Sequence, residues 1–103
     1  MRRKVVISAR ADRQLAKIYD YVATQASLST AERFVDDILG YCFGFDVFPE
    51  RGMRRDDLSP GMRVIGFRRA VTITFFVTSD EVIISGIFYG GEDYESALPI
   101  GEP

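Results

Sequence analysis

Histidine and tryptophan are both absent from the 103-residue sequence, and cysteine occurs once, as Cys42. Histidine is the commonest general base and the commonest transition-metal ligand in proteins. Its absence excludes Ser-His-Asp and Cys-His catalytic sites, and one cysteine alone supplies too few ligands for a structural zinc ion. A single cysteine also excludes an internal disulfide bond. We therefore expect no metal and no cofactor, and we assign no catalytic residue from the sequence.

The sequence also lacks a long apolar run. No stretch approaches the ~18 residues that a membrane span requires, and the run Val5–Ile7 is too short for the core of a signal peptide. Apolar residues make up 47% of the chain and charged residues 27%, which is ordinary for a soluble globular protein. We expect one domain, over residues 1–103, in a cytoplasmic protein that does not enter membranes.

Charge is unevenly distributed, although the net charge is only −2. The segment 51–79 carries a surplus of four positive charges, whereas 80–103 carries six acidic residues and no basic one. A basic middle beside an acidic end favours an acidic peptide partner, or neutralisation within the chain, over a nucleic-acid groove. The sequence pI of about 5.1 argues in the same direction. We therefore expect no direct nucleic-acid binding by the free chain.

Three apolar segments in the last third of the core predict an antiparallel meander. They are Met62–Phe67, Val71–Val77 and Val82–Tyr89, and the breaks between them are short enough for hairpins. In the middle segment, apolar side chains alternate with threonines at a period of two, which is typical of a strand with one face against a core. A further short strand is predicted at Lys4–Ser8.

Two amphipathic helices are predicted between the first strand and the meander. Ser8 is placed as the N-cap of the first, which ends near Gln25. A capping box at Ser29–Glu32 is expected to open the second, after a connection of about four residues, and Phe48-Pro49 to end it. The predicted order is β-α-α-β-β-β with a short C-terminal turn or helix. This is an α+β fold in which an antiparallel helical hairpin packs on a mainly antiparallel sheet.

The segment Pro49–Pro60 is predicted to be an extended loop with many charges. Loops of this length in a small domain are often functional, and the alternative is a solvated crossover from the helix to the sheet. Both interpretations remain open for its arginines.

Several motifs occur in a characteristic order along the chain. They are the helical pattern from Ser8 to Tyr21, Ala31-x-Arg33-Phe34-Val35, Phe48-Pro49-x-x-Gly52, Asp56-Asp57-Leu58-x-Pro60-Gly61-Met62-Arg63, and Ile87-Phe88-Tyr89-Gly90 followed by Asp93. With these motifs the sequence resembles the ParE branch of the RelE/ParE toxin superfamily over nearly its whole length. The resemblance implies the toxin of a type II toxin–antitoxin pair, neutralised by a ParD-like antitoxin. The ParE branch is associated with inhibition of DNA gyrase, and the RelE branch with cleavage of messenger RNA on the ribosome.

The residue types favour the gyrase interpretation. A RelE-type nuclease without histidine needs a cluster of Lys, Arg and Tyr on the sheet. Both lysines, Lys4 and Lys17, precede the meander, and Gly91-Glu92 occupies the position after the last strand where the family has a basic residue. The remaining groups for a nuclease site are Arg63, Arg68, Arg69 and Tyr89. A ribosome-dependent nuclease and a degenerate, non-toxic binding module are kept as alternatives.

The sequence predicts two sets of contact residues. Aromatic side chains are numerous for so small a sheet, so some are expected on an exposed face that a partner covers. The predicted antitoxin contacts are Arg54, Arg55, Arg63, Phe67, Arg68, Arg69, Phe76 and Tyr89. The predicted target contacts are Glu92, Asp93 and Tyr94. A salt bridge from Arg63 to Asp56 or Asp57 is the structural alternative for that arginine.

Overall fold

A computed structural model of the chain describes residues 2–91 and 94–97. The predicted α+β class and element order are confirmed. The elements are β1 (Lys4–Ile7), α1 (Ala9–Gln25), α2 (Leu28–Phe43), a 3-10 turn (Gly44–Asp46), β2 (Met53–Arg54), β3 (Met62–Phe67), β4 (Val71–Val77), β5 (Glu81–Tyr89) and α3 (Tyr94–Ala97). The sheet order is β1-β5-β4-β3-β2, with β1 parallel to β5 and all other pairs antiparallel.

The core lies between the helical hairpin and one face of the sheet. Apolar stripes of both helices pack on the meander, as the helical periodicity predicts. The ring of Phe45, just after α2, lies 4.9 Å from that of Phe75 on β4, and Tyr41 lies 4.8 Å from Phe67 on β3. The fully buried core side chains include Ala11, Ala31, Ile38, Cys42, Phe45, Ile73, Phe75, Val82 and Ile84.

The start of α1 is as predicted, but the start of α2 is not. Ser8 Oγ accepts a hydrogen bond from the Ala11 amide at 3.1 Å, which confirms the predicted cap. The N-cap of the second helix is Ser27, two residues before the predicted N-cap Ser29. Ser27 Oγ accepts a hydrogen bond from the Thr30 amide at 3.1 Å. Glu32 therefore lies in the second turn and not at the position that would complete a box. The helices are joined by two residues, not four.

A bulge in β5 changes which side chains face the helices. Thr74 pairs with Gly86 and Phe75 pairs with Ile84, so Ser85 is an extra residue without a partner in the register. Strict alternation would send Ile87 to the face opposite Ile84, yet both belong to the core below the helices. The buried Ser85 hydroxyl forms a hydrogen bond of 2.8 Å with the Thr74 hydroxyl, which satisfies both groups.

The second face of the sheet is covered, contrary to the expectation of exposed aromatic rings. Phe88 on this face is only 2% exposed, with the Tyr94 ring of α3 at 6.2 Å and the Arg10 guanidinium of α1 at 5.4 Å. Phe67 and Tyr89 are half-buried against the helices, and Phe76 is also half-buried. The exposed large apolar side chains lie elsewhere: Tyr21, Leu28, Phe43, Val47, Phe48 and Met53. No helix within residues 2–91 and 94–97 has both the length and the apolarity of a membrane-crossing segment.

Gly52 explains one of the sequence motifs. It has a φ of +69°, a conformation that side-chain-bearing residues rarely adopt, and it immediately precedes β2. A Cβ atom at this position would lie 2.2 Å from the Val64 carbonyl oxygen on β3. Glycine is thus the residue type that allows the short strand β2 to pair with β3.

We expect Gly52→Ala to lower the free energy of unfolding by more than about 1 kcal/mol, because both the backbone angle and the clash oppose it. Gly40→Ala is the matched control: Gly40 lies within α2, and its added Cβ meets nothing within 4 Å. The control should gain about 0.5–1 kcal/mol from helix propensity. Urea unfolding of the three proteins measures both effects. Equal stabilities for Gly52→Ala and the unchanged chain would contradict the conclusion that position 52 requires glycine.

The single thiol should be unreactive in the native protein. Cys42 is fully buried in α2, and burial raises its pKa to about 12. Because the thiolate is the reactive form, iodoacetamide at about pH 8 should label Cys42 far more slowly in the native protein than in about 6 M urea, which unfolds the chain. Mass spectrometry follows the labelling. Equally fast labelling without denaturant would show that α2 opens or that the thiol is exposed.

Candidate functional site

The loop before β3 is held together by two adjacent ion pairs. Arg54 Nε lies 3.1 Å from Asp56 Oδ2, and Arg55 Nη2 lies 2.9 Å from Asp57 Oδ2. Asp56 also accepts a 2.7 Å hydrogen bond from the Gly61 amide. This backbone bond, followed by Arg54, lowers the pKa of Asp56, and the Arg55 hydrogen bond lowers the pKa of Asp57. The Asp-Asp motif therefore has a structural role, and Arg63 does not form the alternative salt bridge to either aspartate.

Arg55 also joins the loop to the C-terminal helix. Its guanidinium donates to the Tyr94 hydroxyl at 2.7 Å and to the Glu95 carboxylate, across about 40 residues of sequence. The Arg55 side chain is only 18% exposed. Two predicted contact residues, Arg55 for the antitoxin and Tyr94 for the target, are thus partners of each other. Glu92 and Asp93, the other predicted target contacts, lie outside the described residues.

We expect the stabilisation by Arg55 to disappear at low pH. A carboxylate whose pKa is lowered in the folded state contributes stability above its ordinary pKa, here 3.8, and loses it as the pH falls through the folded value. Arg55→Met should therefore destabilise the chain at pH 7, and its difference from the unchanged chain should shrink below pH 3.8. Arg33→Met, at an exposed position on α2, is the control. Urea unfolding at several pH values checks this, and a pH-independent difference would contradict it.

The arginines of the β3–β4 turn lie at the opposite end of the sheet from the loop. Both Arg68 and Arg69 have positive φ angles, of 52° and 57°, in the tight turn that joins the two strands. Arg68 Nη1 lies 2.8 Å from Asp37 Oδ2 on α2, so it ties the turn to the helical layer. Tyr89, at the same end, packs with its ring 5.6 Å from Tyr21 and 5.8 Å from Phe34.

Three arginines converge at the other end of the sheet, where β1 and β3 begin and β4 ends. Arg54 on β2 and Arg63 on β3 are directly opposite each other in the register, and Arg3 immediately precedes β1. They border a pocket of about 300 Å³, which we call the arginine pocket. Its lining residues are Arg3, Glu50, Arg54, Gly61, Arg63, Val77, Thr78 and Ser79.

Backbone carbonyl groups hold two of the three guanidiniums. Arg3 Nε donates to the Thr78 carbonyl oxygen at 2.7 Å, and Arg63 Nη1 donates to the Arg51 carbonyl oxygen at 3.1 Å. Within residues 2–91 and 94–97, neither Arg3 nor Arg63 has a carboxylate within 4.0 Å. Both side chains are half-buried and held in position, yet neither forms an ion pair with a carboxylate in the described part of the chain.

Exposed apolar side chains are linked to the arginine pocket. Val47 and Phe48 follow the 3-10 turn and are 42% and 73% exposed, and Met53 on β2 is 59% exposed. The Asp46 carbonyl oxygen accepts from the Arg3 amide at 3.0 Å, and the Phe48 carbonyl oxygen accepts from Arg51 Nε at 2.6 Å. These bonds place the apolar segment beside the arginines. The segment and Arg3 were not among the predicted contacts, although an apolar Val-Phe pair directly before a proline could have indicated an exposed turn.

A second groove lies between α1 and the end of β5. It has a volume of about 380 Å³ and is lined by Gln14, Lys17, Ile18, Tyr21 and Tyr89. β1 pairs with β5 only as far as Ile84, and α1 covers the next part of that strand edge. Gln14 Oε1 accepts from the Ile87 amide at 2.7 Å there. No group of three or more Asp, Glu or Cys side chains within the described ranges is arranged to hold a metal ion.

Comparison with known proteins gives the family of this chain. A search of curated proteins found no match. A solved structure described as the chromosomal ParDE TA system from P. aeruginosa is similar, with a TM-score of 0.74. Its alignment covers 85% of this chain and 96% of that chain at 22% identity, which shows a shared fold. The profile of the ParE toxin of the type II toxin-antitoxin system, parDE, matches residues 5–94. Since that match spans most of the sequence, the chain belongs to the ParE toxin family of type II toxin–antitoxin systems.

Proposed function

We propose that this toxin inhibits DNA gyrase and is neutralised by a ParD-like antitoxin. The family description supports a toxin of a parDE pair, and the similar solved structure is described as a ParDE system. The proposal separates this chain from ribosome-dependent nucleases of the same superfamily. Because both kinds of toxin share one fold, the side chains must distinguish a gyrase inhibitor from a nuclease.

The observation that carries the proposal is that the candidate nuclease groups are divided between the two ends of the sheet, with Arg63 alone at the end opposite the β3–β4 turn. An RNA-cleaving site requires a base, an acid and a cation within hydrogen-bonding reach of one phosphate. Arg63 is at the start of β3 and Arg68 is just beyond its end, five residues later, which is about 16 Å at ~3.3 Å per residue. Arg68 is paired with Asp37, and Tyr89 packs against aromatic rings of the helices. This arrangement supports a toxin that acts by binding.

The surface chemistry supports an acidic, partly apolar partner. Of the predicted antitoxin contacts, Arg54 and Arg63 border the arginine pocket. Arg69 is exposed, and Phe76 is half-buried. Arg55 and Arg68 form internal ion pairs, and Phe67 and Tyr89 pack on the helices. We therefore expect the antitoxin to contact the pocket end of the sheet. An antitoxin segment that folds on binding would bury the exposed apolar residues beside it.

Expression of the chain alone in a bacterium tests the proposed activity. We expect growth arrest with induction of the DNA-damage response, and rescue by co-expression of the cognate ParD-like antitoxin. In vitro, the purified chain should inhibit supercoiling by gyrase, and the antitoxin should restore it. The Tyr89→Phe variant, which keeps the ring packing but removes the hydroxyl, should remain as toxic as the unchanged chain.

The same experiment distinguishes the alternatives. Translation arrest with ribosome-dependent cleavage of mRNA, abolished by Tyr89→Phe, would overturn the proposal in favour of a nuclease. Absence of any arrest, with a folded and soluble chain, would instead identify a non-toxic binding module.

A further inference from the structure

We propose that the arginine pocket binds a carboxylate side chain of the antitoxin, an Asp or Glu flanked by apolar residues that contact Val47 and Phe48. This inference rests on the proposed function only in taking the antitoxin as the partner. It assigns to Arg3 and Arg63 the recognition of the carboxylate, and to Arg54 a supporting charge.

Like charges lie side by side at the arginine pocket. Arg54 and Arg63 are direct cross-strand neighbours, and like charges in that position destabilise a sheet. Asp56 offsets only Arg54, and Arg3 adds a third guanidinium to the same pocket. The mutual repulsion of these three guanidiniums costs free energy in the isolated chain. Their convergence is accounted for if an anion from another molecule completes the site.

The guanidiniums of Arg3 and Arg63, which form no ion pair within the described residues, are already held in position. Each uses one N–H group to bind a backbone carbonyl oxygen, Thr78 for Arg3 and Arg51 for Arg63. A guanidinium has five N–H donors, so each retains several for a ligand. Because their side chains are already held in place, less conformational entropy is lost when a carboxylate binds.

The pocket and its surroundings indicate the kind of anion. A nucleic-acid strand requires a continuous track of positive charge, because each bound phosphate is neutralised by a Lys or Arg. Here the pocket also contains the exposed carboxylate Glu50, the chain has a net charge of −2, and the adjoining surface is apolar. A pocket of about 300 Å³ has room for one carboxylate-bearing side chain. These features favour a peptide with isolated acidic residues between apolar ones.

Affinity for the purified cognate ParD-like antitoxin tests the proposal. We expect Arg63→Gln and Arg3→Gln each to weaken binding about 10- to 100-fold, because a charge-assisted hydrogen bond is lost. Arg13→Gln, at an exposed position on α1, removes the same charge elsewhere and should change affinity less than about 2-fold. Arg69→Gln tests the opposite end of the sheet and should behave like Arg13→Gln. Circular dichroism and thermal unfolding verify that each variant is folded.

A double-mutant cycle identifies the bound carboxylate. Each Asp and Glu of the antitoxin's C-terminal half is changed to its amide, alone and together with Arg63→Gln. One of these positions should be non-additive with Arg63→Gln, whereas none should be coupled to Arg13→Gln. A second measurement needs no antitoxin: titration of the free chain with glutarate should shift the NMR signals of Arg3 and Arg63 Nε–H before those of Arg69.

The outcomes are separable from those of the proposed function. If Arg3→Gln and Arg63→Gln keep their affinity for the antitoxin whereas Arg69→Gln loses it, the antitoxin binds at the β3–β4 turn. That result would overturn the inference. Loss of binding to a short single-stranded oligonucleotide in Arg63→Gln, with antitoxin affinity intact, would overturn it in favour of a phosphate site. A chain that fails to inhibit gyrase but binds its antitoxin through Arg63 would refute the proposed target and leave this inference standing.

Discussion

The structure is governed by one constraint: the sheet has two apolar faces, and the two long helices can cover only one of them. The second face, which carries Phe88, is covered by much smaller pieces of chain. Arg55 is the residue that holds them, since it binds Asp57 in the loop and Tyr94 and Glu95 in α3. Ionic contacts at the surface thus maintain the burial of apolar groups beneath them. Arg55, in the basic segment 51–79, therefore has a structural role.

Arg51 connects the helical layer to the candidate site. Its guanidinium forms no ion pair with a described side chain. It donates to the carbonyl oxygens of Gly44 and Phe48 and lies 5.1 Å from the Phe45 ring. Its own carbonyl oxygen then accepts from Arg63. The end of α2, the core aromatic cluster and the arginine pocket are therefore parts of one hydrogen-bonded arrangement.

Patterns of local sequence predicted most of the fold. The alternation in β4, the helical stripes and the Ser8 cap each depend on neighbouring residues, and each was located correctly. The start of α2 was misplaced because Ser27 and Ser29 offer the same hydroxyl, and only the backbone geometry selects between them. The Ser85 bulge and the two-residue strand β2 depend on pairing with distant residues, which periodicity does not record. For the same reason the sequence identified Arg54 and Arg63 as candidates but not Arg3, which reaches the pocket from the other end of the chain.

Ser85, which has no partner in the register of β5 with β4, also determines how β5 can be aligned in the sheet. On one side of Ser85 the strand is aligned by β1 and β4, and on the other by β4 and the Gln14 side chain of α1. Sliding the strand by a single position would move the Ser85 hydroxyl away from Thr74 and turn Ile84 or Ile87 out of the core. The bulge interrupts the ladder, yet it makes one alignment of β5 more favourable than the neighbouring alignments.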